Sequence, residues 1–158
     1  MQSIRIAILA GAAMVVIAGM AVAQAPEKKP LQVQETNLEG ITAEVTEVTR
    51  KEGVLTVKVR FRNTGAKATR VNILSNPSDV DKFYAVSGST KLMPLRDSQK
   101  APLMSAPDGY GQLQPDLKPA GSFLFWSKYP APPASAKKVT FVTPHAAPFE
   151  DLPITEAQ

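Results

Sequence analysis

Apolar and polar residues alternate through "LTVKVRFR", residues 55–62. Leu55, Val57, Val59 and Phe61 fall on one side, and Thr56, Lys58, Arg60 and Arg62 on the other. A strand turns successive side chains to opposite faces, so this run predicts a half-buried strand with an apolar inner face. Ile41, Ala43, Val45 and Val48 repeat the pattern upstream less cleanly. "RKEG" between the runs is a turn in which Gly53 takes the left-handed conformation. The two runs together predict a hairpin. "NTG" turns the chain again, "ATRVNIL" predicts a further strand, and "SNPSDVD" a loop or one helical turn. "KFYAV" and "KLMPL" predict a short pair around "SGST". Pro94 has no N–H for a ladder, which sends the second run to an edge or a bulge. Residues 97–121, rich in Pro, Gly, Asp and Gln, predict the longest irregular stretch. "FLFWSKYP" and "KKVTFVTP" predict a closing hairpin across a proline-rich connection. The tail "HAAPFEDLPITEAQ" predicts an extended cover held by Phe149, Leu152 and Ile154.

No useful helical period occurs after residue 23, and all 14 prolines lie beyond it. That is about twice the usual frequency of roughly 5%. Short strands separated by turns predict an all-β chain, a two-sheet antiparallel sandwich of about seven short strands. Residues 1–23 read as an export signal: Arg5, the apolar "IAILAGAAMVVIAGM", then the small-x-small "AVA". The apolar run is nearly long enough to span a bilayer. Gly11, Gly19, the single flanking charge and "AVA" favour cleavage over an uncleaved anchor. The expected order is therefore signal 1–23, flexible leader 24–39 with an edge strand near 31–34, sandwich 40–155 and tail 156–158.

Export puts the chain in the periplasm or the medium. With no cysteine in the 158 residues, disulfides, lipid attachment through an N-terminal Cys, thiol catalysis and Cys-based metal sites are all excluded. Removing Arg5 from the 18 basic side chains leaves 17 against 14 acidic, a formal charge of +3. Nucleic-acid binders concentrate far more charge on one face. Nucleic acid is therefore not an expected partner, and no membrane span is expected after cleavage. An envelope protein or an anionic envelope component is.

The hairpin "LTVKVRFRNTG", the turn and strand "LKPAGSFLFWSKYP" and the closing "AKKVTFVTP" resemble the immunoglobulin-like modules of bacterial secreted and envelope proteins. "LRDSQKAPLMS" with "FWSKYPAPPASAKKVTFVTPHAAPFEDLPI" is similar to modules that accompany outer-membrane-protein-A-like domains. The resemblance spans residues 41–154 and implies an immunoglobulin-like sandwich. No peptidoglycan-binding domain follows in the sequence to Gln158, so wall binding is not carried over.

Candidate contact residues are the alternating cations Lys58, Arg60 and Arg62, an exposed face for anionic or acidic partners, and an aromatic platform of Trp126 and Tyr129. Phe123, Phe125 and Tyr129 share one face of their strand and Leu124, Trp126 and Lys128 the other, so core packing competes with the platform. The bland reading of the cations is a solvated face that discourages edge pairing. His145 with Met93 and Met104 is a thin candidate for copper, because thioethers suit Cu(I), and it supports the alternative of a small-ligand or metal carrier. Asp79 and Asp81 are expected to cap or solvate a loop; calcium needs six to eight oxygens. A single histidine, no Gly-x-Ser-x-Gly and no phosphate loop leave no expected catalytic residue and no expected cofactor. The expectation is a non-catalytic contact module.

Overall fold

Valine, isoleucine, threonine and phenylalanine at alternate positions build the longest strands. The computed structural model of the chain describes residues 28–157; the expected export signal lies outside them. Strands β1 (Gln32–Glu35), β2 (Ile41–Lys51) and β3 (Val54–Asn63) come first, then β4 (Thr69–Arg70) and a 3-10 helix over Pro77–Lys82. They are followed by β5 (Tyr84–Ser87), β6 (Thr90–Leu92), β7 (Asp116–Leu117) and β8 (Ser122–Pro130). Last are β9 (Lys138–Val142), β10 (Phe149–Pro153) and β11 (Thr155–Glu156).

The protein is all-β. One sheet runs β1-β2-β3-β8 with β11 also on β2, a second runs β10-β9-β5-β6, and β4 pairs with β7. All pairs are antiparallel except β11 on β2, and no sheet closes into a barrel. Among the described residues eleven strands replace the seven or so expected; β4, β7 and β11 are only two residues each. "ATRVNIL" gives just β4 and an isolated bridge between Leu74 and Leu113.

The β2–β3 hairpin turns through Glu52 and Gly53 at φ 49° and 78°, the left-handed pair that a two-residue hairpin loop requires. The ladder shifts between Val45 and Glu47. Thr46 is an extra residue, a bulge that re-phases the strand. It explains why Val45 and Val48, three apart, are both buried, and it turns Glu47 outward opposite Lys58.

"FLFWSKYP" and "KKVTFVTP" do not pair, contrary to the expected closing hairpin. β8 pairs with β3 and β9 with β5 and β10, so the two lie in different sheets. The reason is that the second edge of β8 is already taken. Leu95 N–H donates to the Lys128 carbonyl, Lys128 N–H to Leu103 and Ser105 N–H to Trp126, at 2.8–2.9 Å. The prolines of the connection, without N–H groups, carry the chain across instead. That crossing is tied down by Arg50, whose buried guanidinium donates to the carbonyls of Pro132, Pro133, Ala134 and Ala136 and grips the Glu156 carboxylate on β11.

The apolar faces of the two larger sheets meet in aromatic contacts. Phe83 lies 4.9 Å from Phe125, and Tyr129 on β8 lies 6.2 Å from Phe141 on β9. Phe149 and Leu152 of β10 are fully buried beside them, as the tail reading expects. Tyr129 donates its hydroxyl to the Phe83 carbonyl at 3.3 Å, and the same oxygen lies 2.7 Å from Ser127 Oγ. Burial pushes its phenol well above the ordinary range. The fold therefore keeps a proton that the unfolded chain releases near pH 10. This stability is complete below that pH and falls as the pH rises. Tyr129→Phe is expected to cost about 0.5–1.5 kcal/mol at neutral pH and to flatten the decline of stability above about pH 10. Urea melts across that range check it, and an equally steep decline in the variant would put the titration elsewhere.

Asp97 and Asp108 build two loops on one plan. Each carboxylate Oδ1 accepts the N–H groups two and four residues on, Gln99 and Ala101 in one loop and Tyr110 and Gln112 in the other, at 2.8–2.9 Å. Each Asp carbonyl accepts the N–H three residues on, where the backbone is left-handed, at Lys100 (φ 64°) and Gly111 (φ 76°). Asp79 has the expected capping role. It accepts the Ser75 and Asn76 N–H groups and pairs with Lys82, and these bonds hold its carboxyl below the usual range despite burial. Asp81 pairs with Arg96.

Candidate functional site

The second of these Asp loops carries the most exposed aromatic side chain of the described residues. Tyr110 is 83% accessible, although large aromatics ordinarily bury most of their surface. It is held there by its own loop. Asp108 N–H donates to the Gln112 carbonyl at 2.7 Å and Gly111 N–H to the Asp108 carbonyl at 2.9 Å. A Cβ at Gly111 would stand 2.5 Å from Pro77 Cγ, so only glycine lets the loop close on the capped 3-10 helix. The result is a rigid aromatic knob, the kind of side chain that anchors contact surfaces.

Beyond the knob the chain runs extended past Leu113, whose N–H donates to Leu74 at 2.9 Å, and Pro115, whose carbonyl accepts from Val71 at 2.9 Å. It then enters β7. Between this run, β4 and β8 lies a shallow groove of about 560 Å³ lined by Arg70, Pro107, Gln112, Gln114, Pro115 and Phe123, among others. Arg70 forks onto Asp116 with bonds of 2.9 and 3.0 Å, which lower the carboxyl and raise the guanidinium. A smaller hollow of about 400 Å³ lies between the loops around Gly40 and Gly65.

The residues expected to form a site fare differently. Lys58, Arg60 and Arg62 do share the outer face of β3, but they are not a bare stripe. Glu44 lies 2.6 Å from Arg60 and 3.1 Å from Arg62, and Glu47 lies 3.1 Å from Lys58. Arg60 is also buried, and its Nη2 donates to the Lys28 carbonyl at 3.3 Å as the leader crosses the face. Glu47 also takes Lys28 at 3.2 Å, so four cations meet two carboxylates and this face keeps two net positive charges. The Trp126–Tyr129 platform does not exist. Tyr129 is fully buried on the inner face, while Trp126 is half-buried on the outer face with Lys128 Nζ 5.9 Å from its ring.

His145 and the two methionines occupy separate settings. His145 places Nε2 2.8 Å from the Ile73 carbonyl and its ring edge-on to Phe61. Met104 is buried beside β8, bridging Ser127, and Met93 stands 37% exposed after β6. The three are not held together by any hydrogen bond or ring contact among the described residues. Among the same residues no helix is long and apolar enough to cross a membrane.

No protein-family model, no curated protein and no solved structure matches this chain. The site therefore rests on its own geometry. In the sequence Tyr110 lies inside the irregular stretch 97–121 and is not among the expected contact residues. The signal was there in "PDGYGQ": an Asx-turn aspartate and a glycine on each side leave a large ring nowhere to pack.

Proposed function

We propose that this chain is an exported, non-catalytic, immunoglobulin-like β-sandwich module that works by contact with a component of the cell envelope, and that the Tyr110 end is its contact surface. The observation that carries the reading is the 83% exposed Tyr110 on a loop braced by four hydrogen bonds. The loop backbone is already ordered before binding, so only the Tyr110 side chain remains to be fixed and its aromatic surface converts efficiently into affinity. Two sheets meeting through Phe83, Phe125, Tyr129 and Phe141 support the sandwich. The opening 23 residues support export. The row of Lys58, Arg60 and Arg62 offers a polyanion less than three bare cations would, because each is paired with Glu44 or Glu47. His145 has only Nδ1 left for a metal, and its ring packs against Phe61 and Phe83, which supply no ligand.

Photocrosslinking tests the reading. With benzoylphenylalanine at position 110, illumination of the producing cells is expected to give an adduct with an envelope component; with the same group at position 91 it is expected to give none. No adduct from position 110, or equal adducts from both, would overturn it. The exported protein is expected to begin at Gln24, which N-terminal sequencing checks.

A further inference from the structure

The groove beside the Tyr110 loop has two charged side chains in its lining, Arg70 and Asp108, and both are engaged. Arg70 closes on Asp116 by two bonds of 2.9 and 3.0 Å. Asp108 commits one carboxylate oxygen to two backbone N–H groups of its own loop. What remains to meet a ligand is amide chemistry. Gln112 and Gln114 sit two residues apart on the extended run. Gln112 makes no side-chain bond to the described protein, and Gln114 reaches Asn72 Oδ1 only at 3.4 Å. Beside them lies the half-buried ring of Phe123. Tyr110 stands at the loop tip between Asp108 and Gln112, both of which line the groove.

Each part of this lining selects against some ligands. An anion would find the one guanidinium already engaged by Asp116, and a cation would find only the second oxygen of Asp108, whose first is held by its own loop. A purely apolar ligand would strip water from the amides without replacing its hydrogen bonds. Amides that donate and accept beside flat aromatic rings suit a ligand whose hydroxyls donate and accept and whose C–H faces stack. We propose that this groove binds a neutral glycan, an uncharged oligosaccharide chain stacked on Phe123 and Tyr110 and hydrogen-bonded by Gln112 and Gln114. The proposal rests on the Tyr110 end being the contact surface and gives that surface its ligand class. The groove is shallow and open along its length, which suits a chain lying across it rather than a small molecule enclosed by it.

The test titrates the processed full chain with chitotetraose, cellotetraose and maltotetraose, and with an anionic oligogalacturonate for comparison, followed by backbone amide NMR. Saturable shifts at Tyr110–Gln114 are expected with at least one neutral sugar, unchanged between about 50 and 500 mM salt because the sugar carries no charge to be screened. The double variant Gln112→Ala/Gln114→Ala, and separately Tyr110→Ala, are each expected to weaken binding by about tenfold or more. Their unfolding midpoints should stay at the parent's value, since these side chains are exposed or half-buried. No saturable shift with any neutral sugar, binding to the oligogalacturonate alone, or full affinity in the glutamine double variant would each overturn the glycan. An envelope-protein adduct from position 110 without any oligosaccharide binding would remove the glycan and leave the contact reading standing. Absence of both removes the two together.

Discussion

A chain ending at Pro148 is expected not to fold. It lacks β10 and β11, which the sequence presents as a polar, proline-interrupted tail, yet Phe149 and Leu152 are 0% and 1% exposed in the core. Losing a buried phenylalanine costs about 3–5 kcal/mol and a buried leucine about 2–5. Together these match the whole net stability of roughly 5–15 kcal/mol typical of a domain. The truncation also unpairs the edge of β9 and removes Glu156 from Arg50. The expected result is loss of the strand signal in circular dichroism and collapse of amide dispersion in NMR. A truncated chain that melts cooperatively near the parent's midpoint would show that β10 is not integral to the core. Glu156→Gln, by contrast, should lower the midpoint only modestly. Arg50 keeps its bonds to the carbonyls of the proline-rich crossing, and Glu156 sits largely in solvent.

The parts of this fold visible in the sequence are those with local causes. The β2–β3 hairpin was legible because Leu55, Val57, Val59 and Phe61 keep strict alternation and Gly53 marks the turn. The tail anchors Phe149 and Leu152 were legible because large apolar residues stand out against prolines. What failed depended on non-local pairing. Nothing in "PAPPASAKK" says that the second edge of β8 is already filled by residues 95–105, so two adjacent strands read as a hairpin went to different sheets. The pairing of the basic row was hidden for a subtler reason. Its cations alternate in plain view, but their pairing requires Glu44 and Glu47, three apart, to reach one face. Only the bulge at Thr46 brings them there. The same extra residue therefore accounts for the imperfect phase of Val48 and for the ion pairs that cover the row. At the candidate site the loop's composition was legible and its product was not. The exposure of Tyr110 follows from closure of the loop on Pro77, a contact across more than thirty residues.

With no disulfide, stability has to come from the aromatic interior, and Phe125→Ala is expected to show how far. Phe125 sits opposite Val59 in the β3–β8 ladder, edge-on to Phe61 at 6.4 Å and tilted against Phe83 at 4.9 Å. It therefore touches β3 and the residue that leads into β5, and its removal leaves a void between them. The expected cost is about 3–5 kcal/mol. Leu124, its neighbour, faces outward at 50% exposure, and Leu124→Ala is expected to change stability by no more than about 0.5 kcal/mol. The two variants differ by one position and by which face they occupy, so the comparison isolates facing from composition. Denaturant melts should show a large fall in midpoint at unchanged slope for the first and almost none for the second. Similar losses in both would mean that Phe125 does not lie inside, and the meeting of the two sheets through Phe83 and Phe125 would fall with it.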